Sequence, residues 1–267
     1  MDYQIAIMSY ARPERLRDLT LKTLDRYHAD HSRITVFVAN EEQYQIYKQF
    51  VPHTIKLKIT TLGHFQSIKA AHMTYAPNTP LLILDDDIAA LEQKQGDQLS
   101  EYDGNLDNLV AVGFDICEKT KSRMWGIYPV RNAFYMSDEI VVGLRYIIGC
   151  CWGTYAQDIA ITTPNRLLSS SGNDYETTLQ SFKHHGSVVR LNYITAKTDY
   201  FASGGIDAEL KTRGIAERQK DHTQQLKRIA YRHSELASTY LKAGGITNLR
   251  LKRITHQRLS KPVAKND

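Results

Sequence analysis

Hydrophobic and polar positions form regular blocks over the first 85 residues. Four short apolar or alternating runs have the length and β-branched content of strands, and they cover residues 3–8, 34–39, 55–61 and 81–84. Apolar side chains recur at helical spacing in the segments between them, which cover residues 14–28, 41–50 and 65–75. The βαβαβαβ order predicts an α/β fold with a mixed, mostly parallel sheet flanked by helices. Ligands of such sheets bind outside the carboxyl ends of the strands.

The pattern is weaker after residue 95. A polar stretch over residues 95–108 predicts a loop, and residues 109–119 and 174–185 have helical spacing. Aromatic-rich segments indicate further strands in residues 125–136, 140–152 and 156–162. A charged helix is expected from residue 214 to about residue 243, where two glycines end it. We therefore expect an α/β domain over residues 1–210, divided near residue 95, and a basic helical extension over residues 211–267.

Composition narrows the class of protein. With 42% hydrophobic and 24% charged residues, the chain of 267 residues is typical of folded globular proteins, which excludes collagen-like and disordered classes. Its longest apolar segment, residues 140–152, is too short for a membrane span and contains Arg145. The first residues lack a basic secretory leader pattern, so we expect a cytoplasmic protein without a membrane partner. Three cysteines form neither a disulfide framework nor a zinc-ligand spacing.

Positive charge is concentrated at one end of the chain. Residues 211–267 contain 14 Lys and Arg against 4 Asp and Glu, whereas the other 210 residues contain 20 against 25. This asymmetry is typical of proteins that bind a polyanion, with nucleic acid as the first candidate. We select Arg250, Lys252 and Arg253 as phosphate contacts. A solvated helical face is the alternative.

Three carboxylates follow the fourth predicted strand. Asp85, Asp86 and Asp87 lie at the sheet edge where a ligand is expected, and adjacent carboxylates repel one another. A divalent Mn²⁺ or Mg²⁺ ion, completed by substrate phosphates, would relieve that repulsion. The alternative is helix capping, with Asp87 as the N-cap of a helix that begins at Ile88.

The order of motifs resembles that of GT-A glycosyltransferases, whose DxD motif holds a nucleotide sugar. Ser9, Tyr10, Arg12 and Pro13 after the first strand and the later Asp triplet carry this resemblance. More narrowly, SIKAAHM, WGIYPVRNAFYM, LRYIIGCCWG, NDYETTLQSFKHHG and TDYFASGGI are similar to segments of the phage glycosyltransferases associated with TET/JBP-type DNA dioxygenases. The resemblance covers about residues 3–210.

The resemblance implies an activity and its partners. Such an enzyme would use a divalent metal to transfer a sugar from a UDP-sugar to the hydroxymethyl group of 5-hydroxymethylcytosine or 5-hydroxymethyluracil in double-stranded DNA, in the cytoplasm of a host cell if the protein is viral. Residues 1–95 would bind the nucleotide sugar, and residues 96–210 the acceptor. Two rival hypotheses remain: a polysaccharide, lipid or protein acceptor, and a non-catalytic DNA-binding protein on the same scaffold.

The resemblance also implies roles for single residues. Asp85 and Asp87 would ligate the metal, and the donor would contact the set Ser9, Tyr10, Arg12, Lys69, Asp85 and Asp86. Either Asp174 or Glu176 would act as the general base that takes the proton of the acceptor hydroxyl, provided that the reaction inverts the anomeric configuration. Capping of the helix that follows is the alternative for this acidic pair. Arg145 and Trp152 would contact the acceptor, with Trp152 stacked on a sugar or base.

Overall fold

The computed structural model describes residues 1–162, 172–198, 215–242 and 245–262. The helices are α1 (Pro13–Arg15, Leu16–Leu21 and Lys22–Arg26 in succession), α2 (Glu41–Tyr47), α3 (His64–Thr74), α4 (Leu106–Thr120), α5 (Ile159–Thr162), α6 (Asn173–His185) and α7 (Ile215–Arg232). The strands are β1 (Gln4–Met8), β2 (Ile34–Val38), β3 (Lys56–Ile59), β4 (Pro80–Asp85), β5 (Ile88–Gln95), β6 (Gln98–Glu101), β7 (Met124–Ile127), β8 (Glu139–Leu144), β9 (Cys151–Tyr155), β10 (Val188–Leu191), β11 (Ile194–Thr198), β12 (Ala237–Leu241), β13 (Thr247–Leu251) and β14 (Ile254–Ser260).

A nine-stranded sheet forms the centre, in the order β14-β8-β10-β7-β9-β4-β1-β2-β3. Strands β4, β1, β2 and β3 are parallel neighbours, whereas β9 and β8 are each antiparallel to the strands on both sides. Because β10 is parallel to β7, seven strands run in one direction and two in the other. The predicted α/β class, with a large, mostly parallel sheet flanked by helices as in Rossmann-like proteins, is confirmed.

The strand order creates a crevice at one edge of this sheet. Strand β1 pairs with β2 on one side and with β4 on the other. The strands β2 and β3 are thus added on one side of β1, and the next strand, β4, is added on its opposite side. Met8 at the end of β1 is in register with Asp85 at the end of β4. Such a switch point is where open α/β sheets bind ligands, because the loops after the two strands diverge there. The residues that follow β1 and β4 therefore flank the crevice.

Tight packing around one indole fixes the centre of the sheet. Trp125 on β7 is fully buried and meets Phe114 of α4 edge to face, with ring centroids 5.8 Å apart. Gly113 on α4 and Gly153 on β9 lie so close to the indole that a Cβ atom at either position would overlap it. Both glycines are therefore explained by close approach of backbone to the Trp125 ring.

Several segments differ from the sequence-based expectation. Gln98–Glu101 is a strand rather than part of a loop, and it belongs with Ile88–Gln95, where a helix was the alternative, to a second sheet in the order β11-β5-β6. Within residues 125–136 the strand covers only the first residues, up to Ile127. Ile159–Thr162 is helical rather than extended. The partner β11 of β5 is distant in sequence, and local patterns do not report such pairing.

The carboxyl-terminal region is also different from the predicted helical extension. Helix α7 ends at Arg232, and the chain then forms the hairpin β12–β13 and the strand β14, which pairs with β8 in the central sheet. The expectation of a helix to residue 243 is therefore wrong. The residues after Arg232 form strands because β12 and β13 pair with each other and β14 pairs with β8. The proposed domain boundary at residues 210–211 lies outside the described residues. In the described ranges, no helix has both the length and the apolar content that a bilayer crossing requires.

His72 on α3 gives a prediction about stability. Its side chain is 0% exposed, and burial lowers its pKa from about 6.5 to about 4. The unfolded chain therefore takes up a proton at higher pH than the folded chain does, so the free energy of unfolding should fall between pH 6.5 and pH 4. His72→Leu should make this decrease in the free energy of unfolding smaller by about 3 kcal/mol, as measured by urea unfolding between pH 6.5 and pH 4. The exposed His53→Leu is the control and should leave the pH dependence unchanged.

Candidate functional site

The turn after β4 carries the three carboxylates into the crevice. Thr20 of α1 holds this turn: its hydroxyl donates to the carbonyl of Asp85 (2.9 Å) and accepts from the N–H of Ile88 (3.0 Å). Since Ile88 begins a strand, Asp87 does not cap a helix, and the capping interpretation of the triplet is wrong. The triplet is a tight link between β4 and β5 at the switch point.

Asp86 is fixed by a chain of hydroxyl groups. Its Oδ2 accepts from the hydroxyl of Ser9 at 2.5 Å, and Ser9 Oγ lies 2.6 Å from the hydroxyl of Tyr47. Tyr47 in turn accepts from the N–H of Arg12 at 3.0 Å. Because each hydroxyl has one proton, donation by Ser9 to Asp86 requires donation by Tyr47 to Ser9. Burial raises the pKa of Asp86 to about 6, although the hydrogen bond from Ser9 and the charge of Arg12 oppose the rise.

Arg12 lies over the same cluster. Its Nη1 is 3.3 Å from Asp86 Oδ1 and 3.5 Å from Asp87 Oδ2. The backbone of Ala11 has a φ of 55°, and its N–H donates to Gln43, which turns the chain back towards the carboxylates. The structure thus brings together Ser9, Arg12 and the triplet, as the sequence analysis expected.

Two other residues assigned to the donor lie on the rim of the crevice. Tyr10 is half-buried in the loop after β1. Lys69 is half-buried on α3, and within the described ranges it pairs with no carboxylate. Neither side chain has a partner in the site, so their assignment to the donor stays a prediction.

Asp174 reaches the same crevice from α6. Its Oδ2 accepts from the N–H of Gly149 (3.0 Å) and from the hydroxyl of Tyr146 (2.9 Å). The N-cap position is Gly172, in a left-handed conformation, so Asp174 lies inside the first turn and does not cap the helix. A Cβ atom at Gly149 would be 2.6 Å from Asp174 Oδ1, so a larger residue there would shift the carboxylate.

One loop connects Asp174 to the triplet. The carbonyl of Cys150 accepts from the N–H of Asp85 at 3.0 Å, while the N–H of the preceding residue, Gly149, donates to Asp174. Desolvation raises the pKa of Asp85 well above its ordinary value. The negative charges of Asp87, Asp86 and Asp174 raise it further, in that order. The structure therefore surrounds Asp85 with negative charge, which disfavours ionisation of its carboxyl group.

Sequence reasoning missed His64, the first residue of α3. Burial lowers its pKa, against the opposing effect of the carboxylates of Asp174 and Asp86. The His64 imidazole therefore lies within electrostatic range of both carboxylate groups. Tyr47 was missed as well, because its place on the apolar face of α2 indicates a core residue. The only signal for His64 is its position after Gly63, which has a φ of 119° and precedes the helix.

Glu176 is not part of the crevice. It is 1% exposed, and its carboxylate accepts from Arg232 (2.8 Å), His233 (3.3 Å) and Gln180 (3.0 Å). Burial alone would raise the pKa of Glu176, but the hydrogen bonds from His233 and Gln180 hold it below its ordinary value. The structure therefore places Glu176 in the contact between α6 and α7, and leaves Asp174 as the acidic residue of the pair that faces the crevice.

Trp152 is separated from the crevice by its burial. Its side chain is 2% exposed and packs with Ala6, Ile83 and Met124 in the core of the sheet. It has no face available to a sugar or base. The aromatic side chains nearest to Asp174 are instead Tyr146 and Tyr175, whose ring centroids are 4.4 Å apart.

Most of the basic residues chosen from the sequence line a pocket that also includes Tyr146. Arg145, Lys252 and Arg253 line a pocket of about 360 Å³ together with Tyr146. Arg250 points away along β13, where its guanidinium group stacks on Tyr240 at 4.8 Å. The pocket therefore contains Arg145, one of the two residues assigned to the acceptor, together with Lys252 and Arg253, two of the three residues assigned to nucleic acid.

The carboxylates meet part of the requirement for a divalent cation. Mn²⁺ and Mg²⁺ prefer carboxylate oxygens, and Asp85 and Asp87 are adjacent carboxylates whose repulsion a cation would relieve. Within the described ranges, no cluster of three or more His, Cys, Asp or Glu side chains has the arrangement of a complete metal site. Two protein carboxylates fit a cation that is completed by substrate phosphates.

Comparisons with known proteins add information on the fold. No family model and no curated protein matches this sequence. A solved structure described only as that of a mycobacterial protein is similar to this chain with a TM-score of 0.52 and 7% sequence identity, over 98% of this chain and 86% of that one. At this identity the similarity concerns the fold alone.

The repulsion at Asp85 predicts a stabilising substitution. Asp85→Asn replaces a desolvated carboxyl group, whose ionisation three other carboxylates oppose, and keeps the backbone hydrogen bonds of the turn. We expect the free energy of unfolding at pH 8 to rise by about 1 kcal/mol, as is common when a functional site is neutralised. Because the folded state raises the pKa of Asp85, the wild-type chain loses stability as pH rises, and the gain should be smaller at pH 5.

The comparison variant is Asp87→Asn, which removes a repulsive neighbour of Asp85 but also an ion-pair partner of Arg12, so that the two effects oppose each other. It should leave stability unchanged or lower it, as measured by urea unfolding of both variants at pH 5 and pH 8. A loss of stability in Asp85→Asn at pH 8 would contradict the charge analysis.

Proposed function

We propose that this chain is a metal-dependent glycosyltransferase of the GT-A type, which transfers a sugar from a UDP-sugar to the hydroxymethyl group of a modified pyrimidine in DNA. One observation carries the proposal: Asp85 and Asp87 after β4 and Asp174 on α6 share one crevice at the switch point of the sheet. The Gly149–Cys150 backbone holds Asp85 and Asp174 from both sides. Separate carboxylates for a metal and for a proton are what glycosyl transfer to a hydroxyl group requires.

The triplet supports binding of a nucleotide sugar. Asp85 and Asp87 would hold the divalent cation, which when bound supplies Lewis-acid stabilisation of the departing diphosphate. Arg12 orients Asp86 and Asp87 and adds positive charge beside them. Ser9 and Tyr10, at the end of β1, are placed where a nucleoside would lie across the switch point.

Asp174 is oriented to accept a proton. Both of its hydrogen bonds, from Gly149 and Tyr146, go to Oδ2. Among the described residues, none donates to Oδ1, so this oxygen is available to the hydroxyl group of an acceptor. The fixed orientation of the carboxylate matters because a general base must lie within hydrogen-bond reach of the proton that it abstracts.

The placement of the basic carboxyl-terminal region supports a DNA acceptor. The hairpin β12–β13 packs on α6, where Leu249 and Leu179 belong to one buried cluster and Tyr175 donates to Asn248 at 3.2 Å. The same helix carries Asp174. Exposed Lys252 and Arg253 are therefore held near the proposed base by a packed element, which favours a polyanionic acceptor over a neutral one.

A direct assay tests the proposal. The purified chain should transfer sugar in the presence of Mn²⁺ and a UDP-sugar to duplexes that contain 5-hydroxymethylcytosine or 5-hydroxymethyluracil, but not to unmodified duplexes, as measured by mass spectrometry of the nucleosides. Asp87→Ala should abolish transfer. Asp174→Asn should lower kcat at least about 100-fold, the range of general-base catalysis. The control Glu176→Gln should lower stability but keep the kcat of the folded protein.

Each rival function predicts a different result. Release of UDP without labelled DNA would favour a polysaccharide, lipid or protein acceptor. Absence of both hydrolysis and transfer with every metal, together with DNA binding, would favour a non-catalytic DNA-binding protein. Normal transfer by Asp174→Asn would contradict the role of Asp174 and indicate a reaction that retains the anomeric configuration.

A further inference from the structure

A basic pocket lies beside the carboxylate crevice. We call it the arginine–tyrosine pocket; its volume is about 360 Å³, and it lies between β8, β10, β14 and the end of β13. Its positively charged lining residues are Arg145, Arg190, Lys252, Arg253 and Arg258. The described residues that line it include no Asp or Glu. An excess of cations in a concave site raises the local concentration of anions.

Two of these cations, Arg145 and Arg190, are desolvated, and neither pairs with a carboxylate of the described residues. Arg145 is 9% exposed and donates to the carbonyls of Leu144 (2.7 Å) and Ile254 (3.1 Å) and to the hydroxyl of Thr255. All of these acceptors are neutral. In the part of the chain that the structure describes, no carboxylate lies within ion-pair distance of Arg145.

Arg190 has the same character. It donates to Asn192 Oδ1 (2.8 Å) and to the carbonyl of Tyr146 (3.3 Å), and its guanidinium group stacks on the ring of Tyr128 at 4.9 Å. Burial lowers its pKa to about 10, and the charges of Arg145 and Arg253 contribute to the fall. Of these five cations, Arg258 at the rim is the one that pairs with a carboxylate in the described ranges, that of Glu139 at 2.5 Å. Because buried cations are unfavourable without an anion, this pair indicates an anionic ligand.

The shape and the aromatic walls of the pocket indicate more than an inorganic anion. Tyr128, Tyr135, Tyr146 and Tyr175 line it together with the cations. A volume of this size accommodates a small organic ligand, whereas an ion alone would leave it mostly empty. Guanidinium groups bind phosphate oxygens in pairs, and tyrosine rings stack on nucleobases.

Tyr146 connects this pocket to the proposed base. Its ring lines the pocket, and its hydroxyl donates to Asp174 Oδ2 at 2.9 Å. An occupant of the pocket is therefore one side chain away from the carboxylate that would take the proton of the acceptor.

We propose that the arginine–tyrosine pocket binds one nucleotide unit of the acceptor strand, with its phosphate on Arg145 and Arg190 and its base against the tyrosines. The role of this nucleotide as part of the acceptor rests on the proposed function. The binding of a nucleotide by the pocket is independent of that function. The phosphate neutralises the two desolvated guanidinium groups. The nucleotide is thereby held beside Asp174.

The test is binding of small probes to the full chain. Calorimetry should show that 2′-deoxycytidine 5′-monophosphate binds at least about tenfold more tightly than deoxycytidine or inorganic phosphate, because only the nucleotide uses both the cations and the rings. Arg190→Gln should weaken binding of the nucleotide about tenfold. Exposed Arg253→Gln should weaken it less and leaves the buried contacts of the fold intact.

Two control variants locate the site. Asp87→Ala should leave nucleotide affinity unchanged, which separates the pocket from the donor crevice. Arg26→Gln, at an exposed ion pair with Glu101 remote from the pocket lining, should also leave it unchanged. Thermal unfolding of each variant shows whether the chain is folded.

The outcomes separate the two proposals. Unchanged nucleotide affinity in both folded variants Arg190→Gln and Arg253→Gln would overturn the pocket assignment, as would equal affinity for phosphate and for the nucleotide. If Arg190→Gln loses nucleotide binding but the wild-type chain transfers no sugar, the pocket stands and the transfer proposal fails. If the wild type transfers sugar and Arg190→Gln keeps its KM for DNA, the pocket assignment fails and the transfer proposal stands.

Discussion

The backbone of Gly149 and Cys150 ties a helix to the edge of the central sheet. The N–H of Gly149 donates to the Asp174 side chain on α6, and the carbonyl of Cys150 accepts from the N–H of Asp85 at the end of β4. A side chain at position 149 would displace the carboxylate, since its Cβ atom would be 2.6 Å from Asp174 Oδ1. The carboxylates of the crevice come together because this loop holds them there against their mutual repulsion.

Packing of the central sheet holds the carboxylates together against their repulsion. Strands β1, β2 and β4 are almost entirely buried, and the indole of Trp125 is enclosed by glycines of two elements. Such packing resists relaxation of the loops that follow the strands. Tyr146 then joins a desolvated carboxylate cluster, through its hydrogen bond to Asp174, to the pocket that contains the two desolvated guanidinium groups. Carboxylates outnumber Arg12 at the triplet, and cations predominate in the pocket, so the first place favours a cation and the second an anion.

The sequence predicted the parts of the fold that depend on local pattern. The βαβαβαβ order over the first 85 residues is confirmed, because apolar periodicity and the ends of helices are local properties. Strand β14 was mistaken for part of a helical extension, since its pairing with β8 is between segments far apart in sequence. Asp174 was found as an acidic residue at a helix start, but the separation of its role from that of Glu176 needed the contact between α6 and α7. Nothing in the sequence indicated that Arg190 belongs to a binding site, because a single arginine in a short strand is common. Tertiary structure is needed to show that its partners among the described residues are neutral.

The central claim is that Asp85 and Asp87 hold a divalent cation that contacts the diphosphate of a nucleotide sugar. Diffraction from crystals grown with Mn²⁺ and UDP, recorded near the manganese absorption edge, tests it most directly. The account predicts an anomalous peak between the two carboxylates and the UDP diphosphate. Bound UDP with no metal peak at these carboxylates, or UDP bound elsewhere on the chain, would contradict it.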